Sequence, residues 1–353
     1  MLRYIARRIL NGILIVFGVV SLVFLLFHVL PGDPVALIAG QRSDVSTREE
    51  ISNELGLNKP FHLQYTKFIN DLSPISIHRN TTKNQQKYGY HKLLDYENDR
   101  IFVIKWPYLR RSFQTNREVG KIMLENIDDT FWLALAAIIF ASIVGITLGI
   151  VAALKQGKWL DKVIIGISIT GISIPSYVLA ILMALFFGYY LSDITGLNLT
   201  GQLWEIHPTF GKQLHLKNII LPSITLGIMP LAIISQLTRN SMIEVFNQDY
   251  IKTAMAKGLS KRRIIIKHCL KNALNPVLTA VSGWFASLIA GAFFVEYIFD
   301  WKGIGYITIK AVQNLDFPVV MGSTIFIAIA FVIINIFADI IYAVLDPRVR
   351  LNT

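Results

Sequence analysis

Cysteine is almost absent from this chain: Cys269 is the single one in 353 residues. One cysteine excludes an internal disulfide and any metal site built from several thiolates. Catalytic signatures are missing as well. There is no HExxH, no GxSxG and no pair of histidines at ligand spacing, so zinc-hydrolase and serine-hydrolase chemistry lack their residues and no metal or cofactor is implied. The GxxxxGK[ST] phosphate loop is also missing, so this chain does not hydrolyse ATP through that motif. Charged residues make up 16%, against about 25% in soluble domains.

Long apolar runs take their place. The chain is 53% hydrophobic, and six blocks approach or exceed the roughly 20 residues a helix needs to cross a bilayer core. They run over 9–30, 131–154, 163–191, 219–237, 277–299 and 319–345. The expected fold is an all-α polytopic membrane protein with six spans, each satisfying its own backbone polar groups. Residues 1–30 form an N-terminal anchor. Its apolar run is longer than a signal-peptide core, and "LPGDP" at 30–34 is not a small-residue cleavage site, so it is read as uncleaved.

A net charge of +11 raises nucleic acid as a partner, and its distribution argues against that. With the N-terminus inside, one side of the membrane receives Arg3, Arg7, Arg8, Lys155, Lys158, Lys162, Arg239, the cations of 252–271, Arg348 and Arg350. The two short outside loops hold only Lys212, Lys217, Lys302 and Lys310. This asymmetry is the positive-inside pattern and predicts N-in, C-in. The remaining cations lie in the large outside region 31–130, beside nearly as many acidic residues.

Within 31–130, Thr47-x-x-Glu50 fits a capping box. Residues 73–105 are polar and weakly periodic, a small extra lobe or a flexible excursion. In 117–127, Val119, Ile122, Met123 and Ile127 share one face, as in a helix lying on the membrane surface. In the second span Ala137, Ala141, Gly145, Gly149 and Ala153 recur every fourth residue and predict a close helix–helix seam. In the third, Pro175 should kink the helix, with Ser173 and Ser176 beside it. These three line a polar pathway or mark a packing kink; both readings fit. His28, Glu296 and Asp339 lie near span ends, where interfacial water can satisfy them. No chain of ionisable groups at mid-depth suggests a proton relay, and no nucleophile–base pair suggests an intramembrane enzyme.

The segment 238–276 between the fourth and fifth spans is different. Residues 243–257 read as one helix, Gly258 as a left-handed stop and Ser260 as the cap of a second helix. In the second helix Ile266, Cys269, Leu270, Ala273 and Leu274 form an apolar stripe, flanked by Lys261, Arg262, Arg263 and Lys267, which can meet anionic lipid. The first helix ends in small residues, Thr253, Ala254 and Ala256, before the glycine. That is suited to insertion in a partner's groove, and equally to a loop at the membrane surface.

"YIKTAMAKGL" at 250–259 resembles the cytoplasmic EAA loop of ABC-importer permeases, with Lys252 and Thr253 standing where the general pattern has glutamate and alanine. "YIARRIL", "PGDP", "ELGLNKPFHLQY", "SIPSY" and "LDPRVR" occur in the order found in the B-type permease subunit of the dipeptide, oligopeptide and nickel branch. The stretch 73–105 looks like an insertion relative to that branch. The resemblance implies a type I importer transmembrane domain: a 31–130 outside loop and a five-span core over 131–353. It implies a second permease subunit, a related C-type chain, with two ABC ATPase subunits and an extracytoplasmic solute-binding protein. It implies contact with the ATPase through Tyr250, Thr253, Ala254, Lys257, Gly258 and Leu259, and residence in the plasma membrane of a bacterium or archaeon. An ATP-independent carrier or channel is the alternative.

Overall fold

The computed structural model describes residues 2–29, 52, 58–96, 99–207, 209 and 211–345. The Thr47-x-x-Glu50 box, "PGDP" and most of "LDPRVR" lie outside the described residues. The chain forms two compact units: one is Met1–Gly12, Asn126–Ile309 and Ala330–Thr353, the other Ile13–Glu125 and Lys310–Ile329.

The elements in chain order begin with α1 (Leu2–Val29), α2 (Phe61–Leu72), β1 (Ile75–Arg79), α3 (Thr82–Tyr88), β2 (His91–Tyr96) and β3 (Arg100–Ile104). Then come α4 (Val119–Leu154), α5 (Trp159–Ser173), α6 (Ser176–Met183), α7 (Ser192–Thr195), β4 (Trp204–His207) and β5 (Gly211–Leu214). The last third holds α8 (Ile220–Phe246), α9 (Asp249–Ala256), α10 (Lys261–Arg263), α11 (Leu270–Gly291), α12 (Phe293–Ile298), α13 (Ile304–Gln313) and α14 (Phe317–Leu345). Among the described residues five continuous helical stretches are apolar and long enough to span: Ile5–His28, Val119–Leu154, Leu216–Phe246, Lys261–Gly291 and Phe317–Ile340. The sixth expected span is two arms, Trp159–Ser173 and Ser176–Tyr190, meeting at 105°.

That break is sharper than a proline kink. Ile174 (φ −83°, ψ 124°) and Pro175 (φ −57°, ψ 137°) both leave the helical region. Pro175 lacks an N–H, and its ring bars Ile174 from the α conformation, so two successive residues are extended and the axis turns.

The seam of small residues closes against α8. Ala137 and Ala141 are fully buried. A Cβ on Gly145 would lie 2.8 Å from the Leu231 carbonyl oxygen, and one on Gly149 2.6 Å from that of Ser235. From the other side, a Cβ on Gly227 would stand 2.8 Å from the Ala137 carbonyl. With lipid as apolar as leucine, such close backbone approach is what holds two spans together.

In the second unit Phe24 and Val20 of α1 pack with Phe68 of α2 and with Met321 and Ile325 of α14. His28 is held by the Phe24 carbonyl and Gln64 Oε1, at 2.9 and 2.8 Å. The expected surface helix 117–127 is not separate: Val119–Leu154 is one helix of 36 residues. At 1.5 Å per residue it is about 54 Å long, well beyond the ~30 Å hydrocarbon core. Val119 and Met123 are fully buried, so its first turns pack on protein.

The stretch 73–105 is a folded lobe. Its sheet has the order β1-β3-β2, all antiparallel, with Ile77 opposite Phe102 and a bulge between Lys92 and Leu94. Ile101 and Val103 alternate inward onto Tyr88 and Tyr90. Asn70 of α2 both donates to and accepts from the Ile77 backbone at 3.0 Å, and Tyr88 donates to Asp71 at 3.0 Å. Lys105 Nζ donates to the Asp71 carbonyl; burial pulls its ammonium down to about 8 against the pull of the Asp71 carboxylate. A second hairpin, β4 paired antiparallel with β5, follows α7 and has no counterpart in the sequence reading.

Glu296 departs from expectation. Instead of meeting water at a boundary it is fully buried, in α12, beyond the span that ends at Gly291. Thr130 Oγ1 donates to it at 2.8 Å and the Tyr306 amide at 3.0 Å, while Thr130 accepts from the Ile304 amide. A side chain on Gly303 would strike both Thr130 and Glu296. Burial pushes the carboxyl up to about 7, against the Thr130 hydroxyl and the backbone amides that favour its charge. A raised folded-state pKa gives stability that is full below about 4.5 and is lost as pH rises to about 7. The melting temperature of the detergent-solubilised protein is expected to fall over that window, and Glu296→Gln to flatten this part of the slope. Glu296→Leu, which orphans the buried donors, should cost about 1.5–3 kcal/mol near pH 4.5, and less as the parent loses stability toward pH 7. A Leu variant as stable as the parent would refute that role.

Candidate functional site

The loop joining α8 to α11 is built from local rules. The sequence predicts one helix over 243–257; the structure breaks it. Asn247 and Gln248 donate to carbonyls only three residues back, those of Glu244 and Val245, and Gln248 turns extended (φ −72°, ψ 145°). Asp249 opens α9, where its charge suits the helix N-terminus. Lys252 pairs with it at 2.9 Å and Thr253 Oγ1 donates to its carbonyl at 2.9 Å.

α9 stops at Gly258 as expected. The Gly258 amide donates to the Met255 carbonyl at 3.0 Å and the Leu259 amide to that of Ala254 at 3.3 Å. Gly258 has φ +74°. This bond pair is the Schellman stop, completed by Leu259 and Ala254 joining one apolar cluster.

The helix has two faces. Ile251 and Ala254 are buried with Ala153, Met242, Ile264, Cys269 and Ala273. Tyr250, Thr253, Met255, Ala256, Lys257 and Gly258 are exposed, and Leu259 is half-buried. Of the six residues the resemblance singles out, Tyr250, Thr253, Lys257 and Gly258 therefore share the open side, and Ala254 faces inward. The Tyr250 hydroxyl accepts from Asn272 Nδ2 at 2.7 Å, tying α9 to the second helix.

In that second helix Ser260 occupies the cap position without a side-chain bond; its carbonyl takes the Ile264 amide at 3.0 Å. The expected stripe holds at Cys269, Leu270, Ala273 and Leu274 and fails at Ile266. A π-helical stretch over Ile264–Cys269 adds a residue to the turn, which rotates Ile264 inward and leaves Ile266 58% exposed. Lys261, Arg262, Arg263 and Lys267 are exposed, and Asp249 is the one carboxylate in 248–276, so the loop presents a basic surface.

At the 105° break, Ser173 Oγ donates to the Ile169 carbonyl at 2.8 Å. Ser176 lines a cavity of about 180 Å³ shared with Thr225, Pro230, Trp284 and Ser287. Ser173 and Pro175 are not among its lining residues. Sequence reasoning also missed Asp161 and Arg239. Arg239 Nε and an Nη donate to the two Asp161 oxygens at 2.6 and 2.8 Å, and Asp161 is 2% exposed. No local pattern links two charges so far apart in the chain.

Family models match both parts of the chain: residues 145–351 match the binding-protein-dependent transport system inner membrane component, and 1–134 match the N-terminal part of such membrane components. The dipeptide transport system permease protein DppB of Alkalihalophilus pseudofirmus is 33% identical over 99% of this chain and 100% of its own length. The di/tripeptide permease DppB of Pseudomonas aeruginosa is 33% identical, and the glutathione permease GsiC of Escherichia coli 31%, each over 99% of both chains. A solved structure of the MetNI methionine ABC transporter, facing inward, aligns with a TM-score of 0.49 at 17% identity, covering 64% of this chain and 97% of that one. Matched along nearly its whole length, with a glycine-stopped helix where the EAA loop falls, the chain belongs to the binding-protein-dependent inner membrane components, the permease subunits of ABC importers.

Proposed function

We propose that this permease carries short peptides across a bacterial inner membrane, N-in and C-in, and that α9 with its Gly258 stop is where a partner ATPase docks. The observation that carries the docking reading is the division of α9 into two faces. Ile251 and Ala254 seat it on its own chain, while Tyr250, Thr253, Met255, Lys257 and Gly258 stay open beside a basic surface. A helix welded on one side and open on the other transmits force as a rigid body. The peptide class rests on what the relatives' names say they carry. The partners are a second, C-type permease chain, two ATPase subunits and an extracytoplasmic binding protein. Of Ser173, Pro175 and Ser176, the path is assigned to Ser176, a reading supported by its position on the cavity at the helix break.

The burial pattern dictates the test. A charge at Ala254 would enter the chain's own core, so it cannot separate docking from folding. Met255, 52% exposed, can. Affinity-purified wild-type protein in mild detergent should bring down ATPase subunits, and Met255→Glu should lose them while eluting as the same folded permease, because a carboxylate pressed into a dry contact loses its water. Equal ATPase recovery with the variant would place the docking surface elsewhere.

A further inference from the structure

The strongest unassigned feature is the ion pair of buried Asp161 and half-buried Arg239 near the loop. Asp161 lies in the first turn of α5 and accepts three bonds: two from Arg239 and one from the Gly157 amide at 2.9 Å. Gly157 has φ +75° and belongs to the turn 155–158 that joins α4 to α5. Arg239 sits on α8, about two turns before that helix ends and the chain passes into α9. The carboxylate is thus bound at once to the start of α5 and to the shank that carries the loop. Bidentate guanidinium–carboxylate geometry fixes angle as well as distance.

Such a pair is a poor choice for stability alone. Desolvating two charges offsets most of their attraction, and neutral replacements of both partners are often no worse. Fixing one element's register against another is the better-attested use of a buried pair. Here the element fixed is α5, and its far end is the Pro175 break beside the Ser176 cavity. A displacement of α8 can pull the near end of α5 through this clamp and change the angle at the break.

We infer that Asp161 and Arg239 are positioning residues that clamp α5 to α8 and carry movement of the α9 loop to the Pro175 break. This rests on the proposed docking of α9.

The experiment reads motion rather than substrate. A Ser176→Cys reporter is placed in a Cys269→Ala background, the complete transporter is assembled in proteoliposomes, and maleimide labelling is timed without nucleotide and with vanadate-trapped ADP. With the clamp intact the labelling rate should change about fivefold or more between the two states, the scale of ordinary coupling between sites. In Asp161→Asn, and in the double variant Asp161→Asn/Arg239→Gln that leaves no lone half-buried charge, the change should shrink below about twofold while ATP hydrolysis continues. A purely structural pair would lower assembly in the single variant and restore both assembly and the labelling change in the double. That result, or a double variant that fails to assemble, overturns the inference. If the clamp-intact transporter shows no nucleotide-dependent change, the docking reading beneath it fails and the clamp inference goes with it.

Discussion

Replacing Gly149 with valine is expected to unseat the permease core, whereas the same change at Gly166 is expected to be tolerated. Both glycines lie in apolar helices of the same unit, and valine is as compatible with lipid as either. They differ in what stands opposite. A Cβ on Gly149 would lie 2.6 Å from the Ser235 carbonyl oxygen and 2.6 Å from Thr238 Cβ; a Cβ on Gly166 would meet nothing within 4 Å. A backbone carbonyl cannot rotate aside like the end of a side chain, so α4 and α8 must separate along the seam. Overpacking typically costs about 1–3 kcal/mol, and a displaced backbone belongs at the upper end. The detergent-solubilised Gly149→Val protein should melt several degrees lower and elute as aggregate, with Gly145→Val intermediate and Gly166→Val near the parent. Equal melting of the Gly149 and Gly166 variants would mean that the seam does not hold the helices together.

The seam was legible because its signal is local. Five small residues at a spacing of four fall on one face of any helix, whatever packs there. The spans were legible for the same reason, since run length alone reports them. What failed to show depends on distant partners or on backbone geometry that composition does not encode. Glu296 read as a boundary residue because the residue that holds it, Thr130, is 166 positions away. The stretch Ile264–Cys269 has the same letters whether it winds as an α- or a π-helix, so the stripe was assigned to Ile266 when Ile264 faces inward. In the lobe at 73–105, five-residue strands such as Ile75–Arg79 leave two inward positions each, too few to register as alternation. Pro175 announced a break and not its 105° angle. At the candidate site, Gly258 spoke clearly, because only a left-handed residue ends a helix that way. The phase of α9 did not, because it is set by the break at Gln248, and that phase turns Ala254 inward.

Substituting Gly258 should separate transport from folding. The residue holds φ +74° with open space around its Cβ position. Within the isolated chain the only penalty for a side chain is therefore the backbone conformation itself. Valine in the left-handed region costs about 1–3 kcal/mol, and asparagine visits it with little strain. The spans do not depend on this turn, so both variants should insert, asparagine melting like the parent and valine a few degrees lower at most. Transport should not survive equally. If α9 docks with its stop intact, flattening that turn misdirects the helix against the ATPase. Gly258→Val should then lower ATP-driven uptake of a labelled dipeptide by roughly five- to 150-fold, the range a coupling loss of about 1–3 kcal/mol produces. Asparagine decides what the glycine is for. Uptake near the parent level would mean that the backbone turn is what matters. Uptake as low as that of the valine variant would mean that the partner's surface closes over the glycine and leaves no room for any side chain. Full uptake by Gly258→Val would remove the turn from the coupling path altogether.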